Sequence, residues 1–177
     1  VMTMLAGVGA SRVVTAQEPV GERSLKRPRT WQIQGVEVLP VRGNVYMLAG
    51  AGANVTVQAG PEGLLLVDTG GPGDTTRVMA ALHEVFPDAR VRTIINTTSD
   101  SGLLGNVGQA NYGAAKMGLV GLSNGIAIEG ARYGILSNVI APLARTRLTD
   151  GLLGEAGESL DPSLVTPMVV YLASRDC

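Results

Sequence analysis

The sequence has very few of the residues that build metal sites and disulfides. Its 177 residues include one histidine, His83, and one cysteine, Cys177. A zinc site in a protein takes three or four ligands, usually led by histidine or cysteine, so the sequence predicts no metal site. A single thiol cannot form a disulfide within the chain, which excludes a disulfide-stapled scaffold.

A charge excess of either sign is also lacking. The 14 basic and 15 acidic residues give a net charge of −1, which excludes the basic footprint of a nucleic-acid-binding protein. Since no stretch reaches about 18 uninterrupted apolar residues, no membrane span is predicted. Aromatic residues make up 3%, so the core must be built from aliphatic side chains and methionine. The length allows one ordinary domain or two small pieces.

Residues 1–30 are expected to form a disordered leader and linker. Residues 2–10 are apolar and are followed by small residues near Ala16, which resembles the end of a secretory signal peptide over residues 1–16. The positive segment that opens such a peptide is absent, so a plain disordered leader is an equal alternative. Residues 17–29 are polar, contain two prolines and show no periodicity.

A first patterned region covers residues 31–91 and reads as strands around one helix. Because a turn of Pro61, Glu62 and Gly63 separates two of the strands, an antiparallel hairpin with a four-to-five-residue connection is predicted. Asp74 can cap a helix that runs to about Phe86. The predicted strands span residues 36–50, 53–60, 63–70 and 91–97.

The second region, residues 92–177, begins with a segment rich in Gly, Ser and Asn and continues into a long helix from Gln109 to Tyr133. Gly134 is a plausible cap for the end of that helix. A buried strand over 135–142 and a short helix over 164–174 follow. Small residues in the long helix suggest close packing against another backbone: Gly113, Ala114, Ala115, Gly118 and Gly121.

Two residues of the long helix have chemistry that belongs together. Tyr112 and Lys116 are four residues apart, so both side chains lie on one helix face. An ammonium group beside a phenol stabilises the phenolate, and such a tyrosine can exchange a proton with an alcohol or carbonyl oxygen. Ser99 follows a predicted strand, where a hydroxyl could orient the same oxygen. Alone, the Tyr–Lys spacing is a weak signal, because chance pairs are common.

The residues around this pair strengthen the signal. The run from Arg92 to Leu153, which includes INTTSDSGLLGNVGQANYGAAK, resembles the catalytic half of a short-chain dehydrogenase/reductase. The resemblance implies that Tyr112 is the general acid/base, that Lys116 tunes it and binds the nicotinamide ribose, and that Ser99 orients the substrate oxygen. It also implies NAD or NADP as the cofactor.

Further implications come from the same resemblance. Pro142 and Thr146 would meet the nicotinamide carboxamide, and the 105–112 segment is most like the branch that includes hydroxyacyl-CoA dehydrogenases. The substrate would be a small alcohol or ketone, with a 3-hydroxyacyl thioester as one option. The Tyr112–Lys116 helix would join subunits in a homo-oligomer. NAD(P) chemistry favours the cytoplasm.

The sequence lacks the phosphate-binding loop that opens such a reductase. The nearest candidate, Gly70-Gly71-Pro72-Gly73, lies between a strand and a helix, but its spacing fits neither dinucleotide fingerprint. Pro72 also removes one N–H donor. We therefore expect an impaired enzyme.

Residues 33–97 resemble a different family. The strands, the helix and the VDTG and INT segments are similar to the opening ββαβ unit of the metallo-β-lactamase fold. In that family the INT strand leads into a zinc motif, but here Thr98 to Ser101 follow. The hypothesis is a chimera of two families joined at residues 92–97. The alternatives to an oxidoreductase are a hydrolase fragment without its zinc site and a non-catalytic α/β protein.

The expected fold is α/β, with a partial Rossmann-like sheet, flanking helices and an N-terminal antiparallel hairpin. The 91–97 strand could pair with the hairpin, with the 135–142 strand, or with both. Pairing with both would join the two regions into one mixed sheet and leave the fewest unpaired strand edges.

Overall fold

The computed structural model describes residues 29–149, 153–174 and 177. The predicted leader therefore lies outside the described residues, apart from its last two positions. Seven strands form one mixed sheet in the order β1-β2-β3-β4-β5-β6-β7. This confirms the predicted α/β fold.

The first five strands form an antiparallel meander. They are β1 Trp31–Ile33, β2 Val36–Arg42, β3 Val45–Ala51, β4 Ala53–Gly60 and β5 Gly63–Val67. Two predictions here were wrong. The 36–50 segment divides into β2 and β3, because Gly43, with φ +57°, allows a tight turn with Asn44. The β4–β5 connection has only two residues, Pro61 and Glu62, since Gly60 pairs with Gly63.

The chain then changes to parallel pairing. Helix α1 (Thr75–Val85) connects β5 to β6 (Val91–Thr97), and helices α2 (Asp100–Leu103) and α3 (Ala110–Gly130) connect β6 to β7 (Leu136–Ile140). Strand β6 pairs in parallel with β5 on one side and with β7 on the other. Of the open alternatives, the structure has the one in which a single sheet joins both regions.

The core lies between α1 and the meander. Alternating residues of the strands face it, as period-2 patterning requires, and Val36, Val38, Val55 and Val57 are fully buried there. Helix α1 contributes Val78, Ala81 and Leu82. Three of the six aromatic residues cluster at one end of this core, where the rings of Trp31, Tyr46 and Phe86 meet edge to face. As predicted from the low aromatic content, the core is mostly aliphatic.

The helices largely match their predicted spans. Asp74 precedes α1, but its side chain pairs with Arg77 and forms no cap hydrogen bond, unlike the prediction. After α3, a 3-10 turn over Ala131–Tyr133 leads to Gly134, which has φ +67° as a left-handed cap. The last helix, predicted over 164–174, is divided into a 3-10 turn over Pro162–Val165 and helix α4 (Thr166–Leu172), so its α-helical part is shorter than expected.

The expectation of close packing along α3 was only partly right. A Cβ on Gly113 would lie 2.9 Å from the carbonyl oxygen of Ser101, so this glycine does meet another backbone. By contrast, within the described part of the chain a Cβ on Gly118 or Gly121 would have no neighbouring atom within 4 Å, so these two glycines face open space there. Helix α3 packs on β6, β7 and α2, and several of its apolar side chains stay exposed, among them Met117, Leu122 and Ile128.

Candidate active site

The candidate site lies where β6 ends. Strand β6 finishes at Thr97, and the next two residues are Thr98 and Ser99, so three hydroxyl side chains follow one another. Helix α3 packs against β6 and brings Lys116 to this strand end. The carboxyl end of a parallel strand is the usual position for a site in α/β proteins.

Tyr112 and Lys116 form the pair expected from their spacing. The ammonium nitrogen of Lys116 lies 5.8 Å from the centroid of the Tyr112 ring. The same nitrogen donates a 2.9 Å hydrogen bond to the carbonyl oxygen of Thr97. The Tyr112 side chain is 43% exposed, so its hydroxyl can be reached from solvent. The structure therefore holds a cation beside an accessible phenol, anchored to the end of a strand.

Close contact between α2 and α3 fixes the position of the Lys116 backbone relative to β6. A Cβ on Gly102 would lie 2.9 Å from the Lys116 Cβ and 3.0 Å from the Met117 nitrogen, so only glycine fits there without a shift. The buried hydroxyl of Thr98 donates a 2.6 Å hydrogen bond to the Lys116 carbonyl oxygen. Both contacts hold the backbone of α3 against the segment that follows β6.

Ser99 is engaged within its own turn. Its hydroxyl donates a 2.8 Å hydrogen bond to Asp100 Oδ1, and it accepts a longer bond of 3.3 Å from the Ser101 N–H as the N-cap of α2. The Ser99 hydroxyl is the largest cause of a lowered pKa at Asp100, and the Ser101 N–H adds to it. To orient a substrate oxygen, the Ser99 hydroxyl would have to turn away from Asp100.

Pro142 and Thr146 lie in the segment after β7. Pro142 lines a cavity of about 410 Å³ between the end of β7 and α4, together with Leu164 and Met168. The N–H of Thr146 donates a 2.7 Å bond to the Thr149 hydroxyl, so its polar groups are used locally. The contacts of Lys116 described above reach Tyr112 and β6, and they do not extend to Pro142 or Thr146.

Sequence reasoning assigned no binding role to Asp68, yet this residue clamps the end of β6. Its Oδ1 accepts a 2.8 Å bond from the Thr97 N–H, and its Oδ2 accepts a 3.1 Å bond from the Thr97 hydroxyl. Asp68 has φ +61°, a left-handed conformation that is uncommon outside glycine. The position of an acidic residue directly after a buried strand was the sequence signal that could have indicated this role of Asp68.

Asn96 was missed as well. It is 1% exposed and lies on β6 directly before Thr97. Its side-chain nitrogen has no hydrogen-bond partner among the residues that the structure describes. A buried amide donor without a partner costs free energy, so this position is a weak point of the strand.

The Gly70–Gly73 loop does not offer a place for a pyrophosphate. The Gly71 N–H donates a 2.7 Å bond to the Ala51 carbonyl oxygen and is therefore occupied. The Asp74 carboxylate fills the space beside Gly71, where a Cβ would lie 3.1 Å from its Oδ2. A carboxylate at this position repels phosphate. The residues of this loop thus do not fit the phosphates of a dinucleotide.

Within residues 29–149 and 153–174, no group of three or more His, Cys, Asp or Glu side chains could hold a metal ion. In the same part of the chain, no helix has the length and apolar character needed to cross a bilayer.

Comparison with known families finds a likeness over the middle of the chain. Residues 75–152 match the family model described as short chain dehydrogenase, so the match begins at α1, upstream of Arg92. This part of the chain is therefore related to the short-chain dehydrogenases.

Three relatives show the same likeness. The chain is 53% identical over 85 residues to the peroxisomal multifunctional enzyme type 2 of Drosophila melanogaster, covering 48% of this chain and 14% of that enzyme. It is 56% identical over 104 residues to the peroxisomal hydratase-dehydrogenase-epimerase of Saccharomyces cerevisiae, covering 58% and 12%. A hydroxyacyl-CoA dehydrogenase of Mycobacterium tuberculosis is 46% identical over 88 residues, covering 46% and 28%. The chain thus spans a minor share of each relative.

Solved structures add little. Full-length peroxisomal multifunctional enzyme type 2 from Drosophila melanogaster aligns at 45% identity with a TM-score of 0.42, covering 59% of this chain and 18% of that one. A metallo-β-lactamase from Erythrobacter litoralis covers 80% of this chain and 58% of that one at 17% identity, with a TM-score of 0.35. These scores are too low to assign residues 33–97 to the metallo-β-lactamase fold.

Proposed function

We propose that this chain carries the acid/base centre of an NAD(P)-dependent oxidoreductase that interconverts an alcohol and a ketone. The observation that supports it most is the Lys116 ammonium beside the accessible Tyr112 ring, at the end of β6. The relationship of residues 75–152 to short-chain dehydrogenases adds independent support.

Tyr112 is the proton donor and acceptor in this proposal. The Lys116 ammonium, 5.8 Å from the centroid of the Tyr112 ring, would stabilise negative charge as it develops on the tyrosine oxygen during proton transfer to and from the substrate oxygen. Ser99 orients that oxygen once its hydroxyl leaves Asp100. When bound, the nicotinamide would supply the hydride, and Tyr112 and Lys116 would hold its ribose while Pro142 and Thr146 would hold its carboxamide.

The substrate is a 3-hydroxyacyl or 3-oxoacyl thioester. Two observations support this class. One relative is named a hydroxyacyl-CoA dehydrogenase. In addition, the cavity beside Pro142 is lined by apolar side chains that suit an acyl chain, among them Leu164, Val165, Met168 and Leu172.

Cofactor binding by these residues is weak. The occupied Gly71 N–H and the Asp74 carboxylate deny the pyrophosphate its usual donors at the start of a helix. This proposal places the protein in the cytoplasm, where NAD(P) is available.

The exposed apolar face of α3 would join two copies of the chain. Met117, Leu122 and Ile128 are 49%, 49% and 79% exposed. Light scattering on Leu122→Lys should show a smaller particle than the unchanged protein. Val107→Lys adds the same charge at a 98% exposed position outside the helix and should leave the particle size unchanged.

Fluorescence titration with NADH and NADPH, followed by turnover of a 3-oxoacyl thioester, tests the function. We expect slow turnover that falls by about 10²–10⁴-fold in Tyr112→Phe, the range typical of lost acid/base catalysis. Tyr133→Phe is a matched control, because Tyr133 is a 63% exposed tyrosine outside the site. Binding no tighter than millimolar for both cofactors, or turnover that Tyr112→Phe leaves unchanged, would overturn the proposal and leave a non-catalytic α/β protein.

A further inference from the structure

The end of β6 is held from two sides. On one side, the Asp68 carboxylate accepts hydrogen bonds from both the N–H and the hydroxyl of Thr97. On the other side, the Thr97 carbonyl oxygen accepts the bond from the Lys116 ammonium. One residue, Thr97, therefore connects a side chain after β5 to the cation beside Tyr112.

We infer that Asp68 is a positioning residue for Lys116, acting through Thr97. This inference rests on the proposed function, because it assigns Asp68, a residue of the first region, a role at the candidate site in the second region. Two bonds from one carboxylate fix both the main chain and the side-chain rotamer of Thr97. The direction of its carbonyl oxygen, and hence the place of the Lys116 ammonium, is set by this clamp.

The backbone conformation of Asp68 also indicates that its carboxylate is held in place by the fold. The Asp68 N–H donates a 2.9 Å bond to the Ile95 carbonyl oxygen, which extends the β5–β6 ladder by one residue. The chain turns away from the ladder at Asp68 itself, which has φ +61°. This conformation carries strain for a non-glycine residue, and the two bonds to Thr97 offset it. Asparagine tolerates the same conformation, whereas alanine does so less readily.

The lysine content allows a direct test. Lys26 and Lys116 are the only lysines in the sequence, so each amine can be followed separately by mass spectrometry. Trace acetylation of the intact protein reports how readily each amine reacts, and the Lys116-to-Lys26 ratio corrects for reagent and time. Loss of the clamp frees the Lys116 amine from a fixed hydrogen bond, so the ratio should rise.

We expect the ratio to rise at least threefold in Asp68→Ala and by a smaller factor in Thr97→Val, which removes only the hydroxyl bond. Asp68→Asn, which keeps an oxygen for the Thr97 N–H, and Thr97→Ser, which keeps the hydroxyl, should restore the ratio of the unchanged protein. Asp88→Ala is a matched control that removes an exposed aspartate from a turn.

Circular dichroism at the labelling temperature establishes which variants are folded. If Asp68→Ala does not fold, the acetylation ratios of Thr97→Val and Thr97→Ser decide whether the inference holds. An unchanged ratio in the folded variants would overturn the inference and leave Asp68 a purely structural residue. The labelling uses neither cofactor nor substrate, so its outcome is independent of whether NADH binds or turns over.

Discussion

Gly102 of α2 lies against the backbone of Lys116 in α3, and a Cβ at Gly102 would be 2.9 Å from the Lys116 Cβ. Such a separation is shorter than real Cβ contacts, and the other near atoms are Met117 N and Lys116 C, which belong to the backbone. An added methyl group would therefore have to move a helix. This contact links helix packing to the position of the lysine beside Tyr112.

Gly102→Ala should lower the free energy of unfolding by about 1–3 kcal/mol, the usual cost of overpacking. Because the shift moves Lys116, turnover should fall as well. Gly118→Ala is the matched control, since Gly118 lies in α3 with open space around it. It should raise stability by up to about 1 kcal/mol through better helix propensity. Chemical denaturation measures the free energy of unfolding of both variants. Equal stability of the two variants would show that α2 does not press on α3.

The sequence predicted the parts of this fold that depend on local pattern. Strand β6 spans Val91–Thr97 as predicted, because a run of β-branched residues between turn residues specifies a buried strand. The spacing of Tyr112 and Lys116 also sufficed to place them together, since helix geometry is regular.

Features that depend on distant residues could not be predicted. The clamp between Asp68 and Thr97 joins positions on different strands, and only the pairing of β5 with β6 brings them together. The open surroundings of Gly118 likewise depend on what packs against α3. A pattern of small residues predicts close approach, but the sequence does not specify the partner.

Ser99→Ala should raise the pKa of the Asp100 carboxyl toward its ordinary value of 3.8. The Ser99 hydroxyl is the largest cause of the lowered pKa, and the Ser101 N–H remains as a second cause, so the return should be partial. Carbonyl-detected NMR across pH 2–6 would follow the titration. Ser163→Ala provides the matched control, because Ser163 lowers the pKa of Asp161 in the same way. It should shift Asp161 and leave Asp100 unchanged.

The sign of the stability effect follows from the direction of this shift. A carboxyl whose pKa is lower in the folded state contributes stability that is present above pH 3.8 and is lost as the pH falls through the folded pKa. Ser99→Ala should therefore reduce stability near neutral pH and have less effect in strong acid. A stability loss that is the same at every pH would mean that the Asp100 carboxylate has no part in it.

Asn96→Leu should make the protein more stable by about 1 kcal/mol, because it removes a buried amide donor that has no partner. Leucine has a similar volume, and Asn96 is 1% exposed, so an apolar side chain at this position stays out of water. Ser123→Ala is the opposite case, since the buried Ser123 hydroxyl shares a 2.7 Å bond with Ser137. It should cost about 1 kcal/mol by leaving Ser137 without that partner. Thermal unfolding ranks the two variants against the unchanged protein. If Asn96→Leu is instead the less stable of the two, the amide of Asn96 must be satisfied in solution, and β6 has no weak point before Thr97.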